Sequence, residues 1–261
     1  MTSAELPSRP PIAGVVSRIM HEQLVERARA LREDGLPPKA IARALDVKVA
    51  DVLGLFNSAA LIAGTDEPQC WVNAGWSSHL GLERAPQWMS HDHSAPDAEH
   101  VGGLVAVLVA GYSSRSTKAH VVGFLLDVWC LGVKNSLPPK AMSRRQLAEH
   151  RQAYFSSHGS HHQIPAELAR ELVFGAAAYA RSLGFEPDAD FDAAASVLGE
   201  PIEPSQIRFG RDGSPFYVSG PYDEPCDVLE ILTHSAGEGN FDYSVGFPGS
   251  SRPGRSRRIH Q

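Results

Sequence analysis

The chain has 261 residues, 43% hydrophobic and 21% charged, a size and balance that suit one large domain, or a small domain joined to a medium one. Thirty acidic against 24 basic side chains give a net charge of −6. This excludes a protein that coats nucleic acid by bulk electrostatics, while leaving room for a local basic patch. Three scattered cysteines (Cys70, Cys130, Cys226) exclude a disulfide framework. The opening segment lacks a basic start followed by an apolar run, and no apolar stretch approaches the roughly 20 residues that cross a bilayer. A reduced, cytoplasmic protein with no membrane association and no cofactor is expected.

Residues 1–20 carry Pro7, Pro10 and Pro11 and read as a flexible lead-in. A helical pattern follows over 21–34, with Leu24, Ala28 and Leu31 on one face and Gly35 as its stop. Leu36-Pro37-Pro38 forms a turn, and helices are expected over 39–45 and 49–60. Residues 64–69 are a polar break. The stretch 70–100 has no clear period and reads as irregular, with a strand near Trp71. Two apolar runs, 104–111 and 119–129, flank a polar SSRSTK loop and read as a hairpin.

Helices dominate next. Ser143 is placed to cap a helix running to Phe155. The plainest helix is 165–183, where Leu168, Leu172, Ala176, Tyr179 and Leu183 form a continuous stripe. A shorter helix is expected over 188–198. Short strands at 207–210 and 216–219 surround Asp212-Gly213, a hairpin-turn pair. A helix over 224–234 and a strand over 241–245 complete the pattern. The tail 249–261 holds Arg252, Arg255, Arg257 and Arg258 and no acid. The expected architecture is α+β: a three-helix module over 21–63, then a larger mixed domain over 70–248 with antiparallel hairpins. Strands grouped ahead of helices argue against a doubly wound parallel sheet.

The segment LPPKAIARALDVKVADVLGLF (36–56) resembles the helix-turn-helix of bacterial DNA-binding regulators. Ile41, Ala42 and Leu45 fill the inward face of the first helix, with Ala42 small at the helix crossing. Asp46 stands at the turn where such families usually carry glycine, and Asp tolerates positive φ there. Val47 plugs the turn, and Val52, Leu55 and Phe56 face inward from the second helix. The resemblance implies DNA as a partner, with Arg27, Lys39 and Arg43 on backbone phosphates, Lys48 and Asn57 as donors from the second helix, and Arg255, Arg257 and Arg258 assisting. Residues 21–64 hold six basic and six acidic side chains. This neutrality keeps a second reading open, in which the module contacts a protein partner or a second copy.

FLLDVWCLGVKN (124–135), YARSLGF (179–185) and FGRDGSPFYVSGPYD (209–223) resemble recurring motifs of a bacterial domain to which no activity attaches. Read from the residues, Cys130 becomes a nucleophile if Lys134 and a histidine lower its pKa, and is otherwise a small buried side chain near a strand end. Asp127 is placed to cap a turn or to pair with Lys134. SHDHSAPDAEHVGG (90–103) resembles the HxHxDH motif of metallo-β-lactamase-like hydrolases, but Asp97 and His100 stand apart where that motif needs an adjacent pair. A different site built from His91, His93 and His100 would suit zinc. His158, His161 and His162 form a second group, expected in a loop. A thiol- or metal-dependent enzyme is therefore the third alternative. No phosphate-binding loop and no GxSxG elbow is present.

Overall fold

The computed structural model describes residues 24, 27–28, 30–31, 36–48, 52, 67–93, 103–112, 117–202 and 204–246. The chain divides into two compact units, Met1–Ala60 and Leu61–Gln261.

In the first unit, helix α1 (Pro38–Leu45) starts after an extended Pro37. A proline in the first helical turn loses no bond, because its missing N–H would have had no partner there. The helix stops at Asp46, which takes φ 55°, and its backbone N–H returns to the Ala42 carbonyl. Ala28, Ile41, Ala42 and Val52 are buried together, with Leu31, Leu36, Leu45 and Val47 packed against them. The expected helices over 21–34 and 49–60 lie for the most part outside the described residues. So do the lead-in, Asn57 and the basic tail.

The second unit is α+β. Its main sheet contains β1 (Gln69–Asn73), β2 (Leu104–Tyr112), β3 (Ala119–Asp127), β4 (Gly132–Met142) and β5 (His161–Ile164), in the order β4-β3-β2-β1-β5. Every pairing in it is antiparallel. Strand β2 is apolar at nearly every position because both faces of the sheet are covered. Val105, Val107 and Val109 point into the main core, where helix α3 (Ala166–Ser182) supplies Leu168, Leu172, Val173 and Ala176. The alternate residues Ala106, Leu108 and Ala110 point to the other face and meet Leu147 and Phe155 of helix α2 (Arg144–Phe155). Ser143 caps α2 as expected: its hydroxyl accepts from the Gln146 N–H, and Gln146 Oε1 accepts from the Ser143 N–H at 2.9 Å.

Helix α4 (Phe191–Ala195), strand β6 (Phe216–Val218), helix α5 (Pro225–Ser235) and strand β7 (Asp242–Ser244) complete the unit. A 3-10 helix, Pro86–His91, lies between β1 and β2 in the stretch expected to be irregular.

Three expectations are corrected. The expected hairpin is the centre of a larger sheet, because a third long strand, β4, follows the β3 turn. Its Pro138 and Pro139 hid it. A proline cannot donate to a ladder, and these two sit at an irregularity between the Val121 and Gly123 pairings, on an edge strand. The second histidine group does not lie wholly in a loop: His161 and His162 belong to β5 and pair with Asn73 and Val72. The Asp212-Gly213 turn forms, with φ 55° and 87°, but only Arg211 and Ser214 bridge across it. Strand β6 pairs in parallel with β7 instead.

Candidate functional site

The tight connection from β3 to β4 is organised by one carboxylate. Asp127 is 2% exposed, and its Oδ1 accepts from the backbone N–H groups of Trp129 and Cys130, both at 3.0 Å. Burial pushes this carboxyl up to about 6, against the opposing pull of the N–H groups of Leu131, Trp129 and Cys130 and the Lys134 charge. The turn ends at Gly132, whose φ of 69° and close approach to Ala176 and Ala180 leave no room for a Cβ.

Cys130 lies on this turn, fully buried with Leu183, Tyr217 and Leu232. Burial, reinforced by the Asp127 charge, holds its thiol well above the ordinary range. A buried, protonated thiol is a poor nucleophile. Lys134 does not activate it, because Lys134 Nζ binds both oxygens of Asp223 at 2.7 and 2.9 Å. Gly220 N–H also donates to Asp223, at 2.8 Å. Burial alone would raise the Asp223 carboxyl, but the bonds from Lys134, Gly220 and Tyr217 outweigh it and hold that carboxyl below its ordinary value.

Tyr217 and Tyr179 close the group. The Tyr217 hydroxyl donates to Asp223 at 3.4 Å. The Tyr179 hydroxyl is buried with no hydrogen-bond partner among the described residues, and burial first, then the neighbouring Cys130 and Asp127, raises its phenol. A Cβ on Gly210 would stand 2.7 Å from that hydroxyl. The three sequence motifs thus converge: Asp127, Cys130 and Lys134 from the first, Tyr179 from the second, Gly210, Tyr217 and Asp223 from the third. Of the two roles expected for Asp127, the structure has the cap and not the pairing with Lys134. Asp127 caps the backbone, and the carboxylate that binds Lys134 comes from 89 residues further along.

The two histidine groups also meet. His162 hydrogen-bonds through Nε2 to the His91 carbonyl, which also accepts from Trp76 Nε1 at 3.1 Å. The His93 ring stands edge-on to His162 with centroids 4.6 Å apart. Burial lowers the pKa of His162. Asp92 accepts from the N–H groups of Gly75 and Ser77 and from the Ser77 hydroxyl. His161 stacks on Phe155 at 4.4 Å, and His158 lines a cavity of about 310 Å³ with Asn73, Trp76, Ser78 and Ser160. His100 lies outside the described residues. Among the described residues no three His, Cys, Asp or Glu side chains are placed to hold a metal.

Of the expected DNA contacts, Arg27, Lys39, Arg43 and Lys48 are exposed, while Asn57, Arg255, Arg257 and Arg258 lie outside the described residues. Two polar features escaped the sequence reading. Glu171, 1% exposed within α3, accepts from Ser205 Oγ and Gln206 N–H through one oxygen and has no partner at the other among the described residues. His79, at φ 62°, pairs with Asp212 at 3.1 Å, and the Asp212 N–H donates to the His79 carbonyl at 3.0 Å. No sequence period marks Glu171, whereas Asp212 carries a turn signal in the Asp212-Gly213 pair. No protein-family model, curated protein or solved structure matches the chain. Among the described residues no helix is long and apolar enough to cross a membrane.

Proposed function

We propose that the protein is a cytoplasmic regulator that associates with DNA through its first unit, a three-helix helix-turn-helix module, while the α+β unit receives a ligand, a partner or a second copy. The observation that carries this reading is the Asp46 turn. A residue at positive φ directly after α1, and the burial of Ile41, Ala42 and Val52 in one cluster, support this reading. The exposed Arg27, Lys39, Arg43 and Lys48 supply charges for phosphate. Because the module is neutral, affinity is expected to be modest and to need two modules on one DNA.

A gel shift of the full chain on genomic fragments tests this. Binding is expected at about 50 mM salt and falls steeply by about 200 mM, as counterion release requires. Replacing Lys39 and Arg43 together by alanine is expected to lower the slope of log affinity against log salt by about 2. Absence of any shift at low salt would remove the DNA reading. The even charge count of residues 21–64 then favours the adaptor alternative, with the same module contacting protein.

A further inference from the structure

The net charge of the chain is concentrated in one stretch. Residues 216–246 contain six carboxylates and no Lys or Arg, so their charge of −6 equals that of the whole protein and the remainder sums to zero. Asp223 is taken up by Lys134. The other five, Glu224, Asp227, Glu230, Glu238 and Asp242, are exposed and form no ion pair among the described residues. The same stretch holds three of the five large hydrophobic side chains that stand exposed among the described residues: Tyr222 at 96%, Tyr243 at 50% and Ile231 at 36%.

Helix α5 shows how this surface is built. Leu232 is buried, with Val228 and Leu229 packed beside it against Cys130 and Tyr217. Glu224, Asp227, Ile231 and His234 recur at helical spacing and remain exposed. One face of α5 is therefore anchored, and the other presents carboxylates around an apolar side chain. Acidic and apolar groups mixed in this way match a segment that is basic and carries an apolar residue.

We propose that this face is a docking surface for the chain's own C-terminal segment, residues 249–261, bound within the same molecule. That segment has Arg252, Arg255, Arg257 and Arg258, no acid, and Ile259. It follows β7 closely. Seven residues separate Ser244 from Arg252, and the eight steps between them span up to about 28 Å when extended, whereas the eleven residues of α5 are only about 16 Å long. Val245, the residue after β7, packs in the same cluster as Val228, Leu229 and Leu232 of α5, so the tether starts beside the helix and its length covers that of α5. Each exposed pair is weak, but the tether supplies a high effective concentration. The proposal is independent of the DNA reading and competes with it for Arg255, Arg257 and Arg258.

Cys226, exposed on α5 while Cys70 and Cys130 are buried, takes a nitroxide label in the full chain. At about 20 mM salt, the label is expected to broaden the amide signals of residues 252–259. Broadening should drop several-fold at about 0.5 M salt, where screening is short-ranged, and also in the Glu224→Gln, Asp227→Asn, Glu230→Gln variant. Broadening that neither salt nor neutralisation changes reflects the tether alone and overturns the proposal. So does broadening that persists at comparable strength when the label and the isotope are placed on different molecules, since the occupant is then a second copy. The salt titration needs no substitution and keeps the test valid if the variant folds poorly.

Discussion

At Asp127 a single carboxylate faces two opposed demands. Its lone pairs fix the turn, yet burial makes its charge costly, and the folded carboxyl rises to about 6 against an ordinary 3.8. A raised folded pKa means the native state binds the proton more tightly than the unfolded chain does. The stabilisation is therefore fully present below about pH 4 and is lost as pH rises through about 6. The difference corresponds to ~3 kcal/mol as an order of magnitude. Asp127→Asn keeps an acceptor for Trp129 and Cys130 and removes the charge. Urea titrations from pH 4 to 7 are expected to show a decline in the parent that this variant flattens; parallel curves would mean that Asp127 is not the titrating group. The motif made Asp127, Cys130 and Lys134 legible as a set. It did not reveal their partners, because Asp223, which binds Lys134, and Tyr217, which packs with Cys130, are distant in sequence and arrive only when the chain folds back.

Among the elements, those with strong local signals were legible and those defined by their neighbours were not. Helix α3 has its apolar stripe, α2 has its capping box, and β2 and β3 have their apolar runs. Strand β4 carries two prolines and β5 only four residues, so both take their identity from the strand beside them. Strands β6 and β7 have three residues each, and their parallel pairing has no sequence mark. The Ser143 cap belongs to the local class and gives a local test. Ser143→Ala is expected to cost about 1 kcal/mol, read as a shift in urea midpoint with unchanged slope. Glycine at the same position should cost only a few tenths. Equal losses for the two would assign the effect to something other than the cap hydrogen bond.

For the whole second unit, the Lys134–Asp223 pair connects the edge of the main sheet to the segment between β6 and α5. Both side chains are largely withdrawn from solvent, at 22% and 11% exposure. Removing one partner strands the other in a poorly hydrated place. Lys134→Met and Asp223→Asn are each expected to destabilise, and the double variant to lose less than their sum. A coupling of about 1–3 kcal/mol in a double-mutant cycle fits, whereas strict additivity would mean that the pair holds nothing together.

The strand order has one more consequence. A sheet ends in two rows of unsatisfied N–H and C=O groups, and a long straight row invites another chain to add itself. Here one border is β4, interrupted by Pro138 and Pro139 opposite an irregular register, and the other is the four-residue β5. Neither offers an unbroken template. The most apolar strand, β2, lies at the centre of the sheet. The stretch most prone to aggregate is shielded on both sides by strands that cannot propagate it.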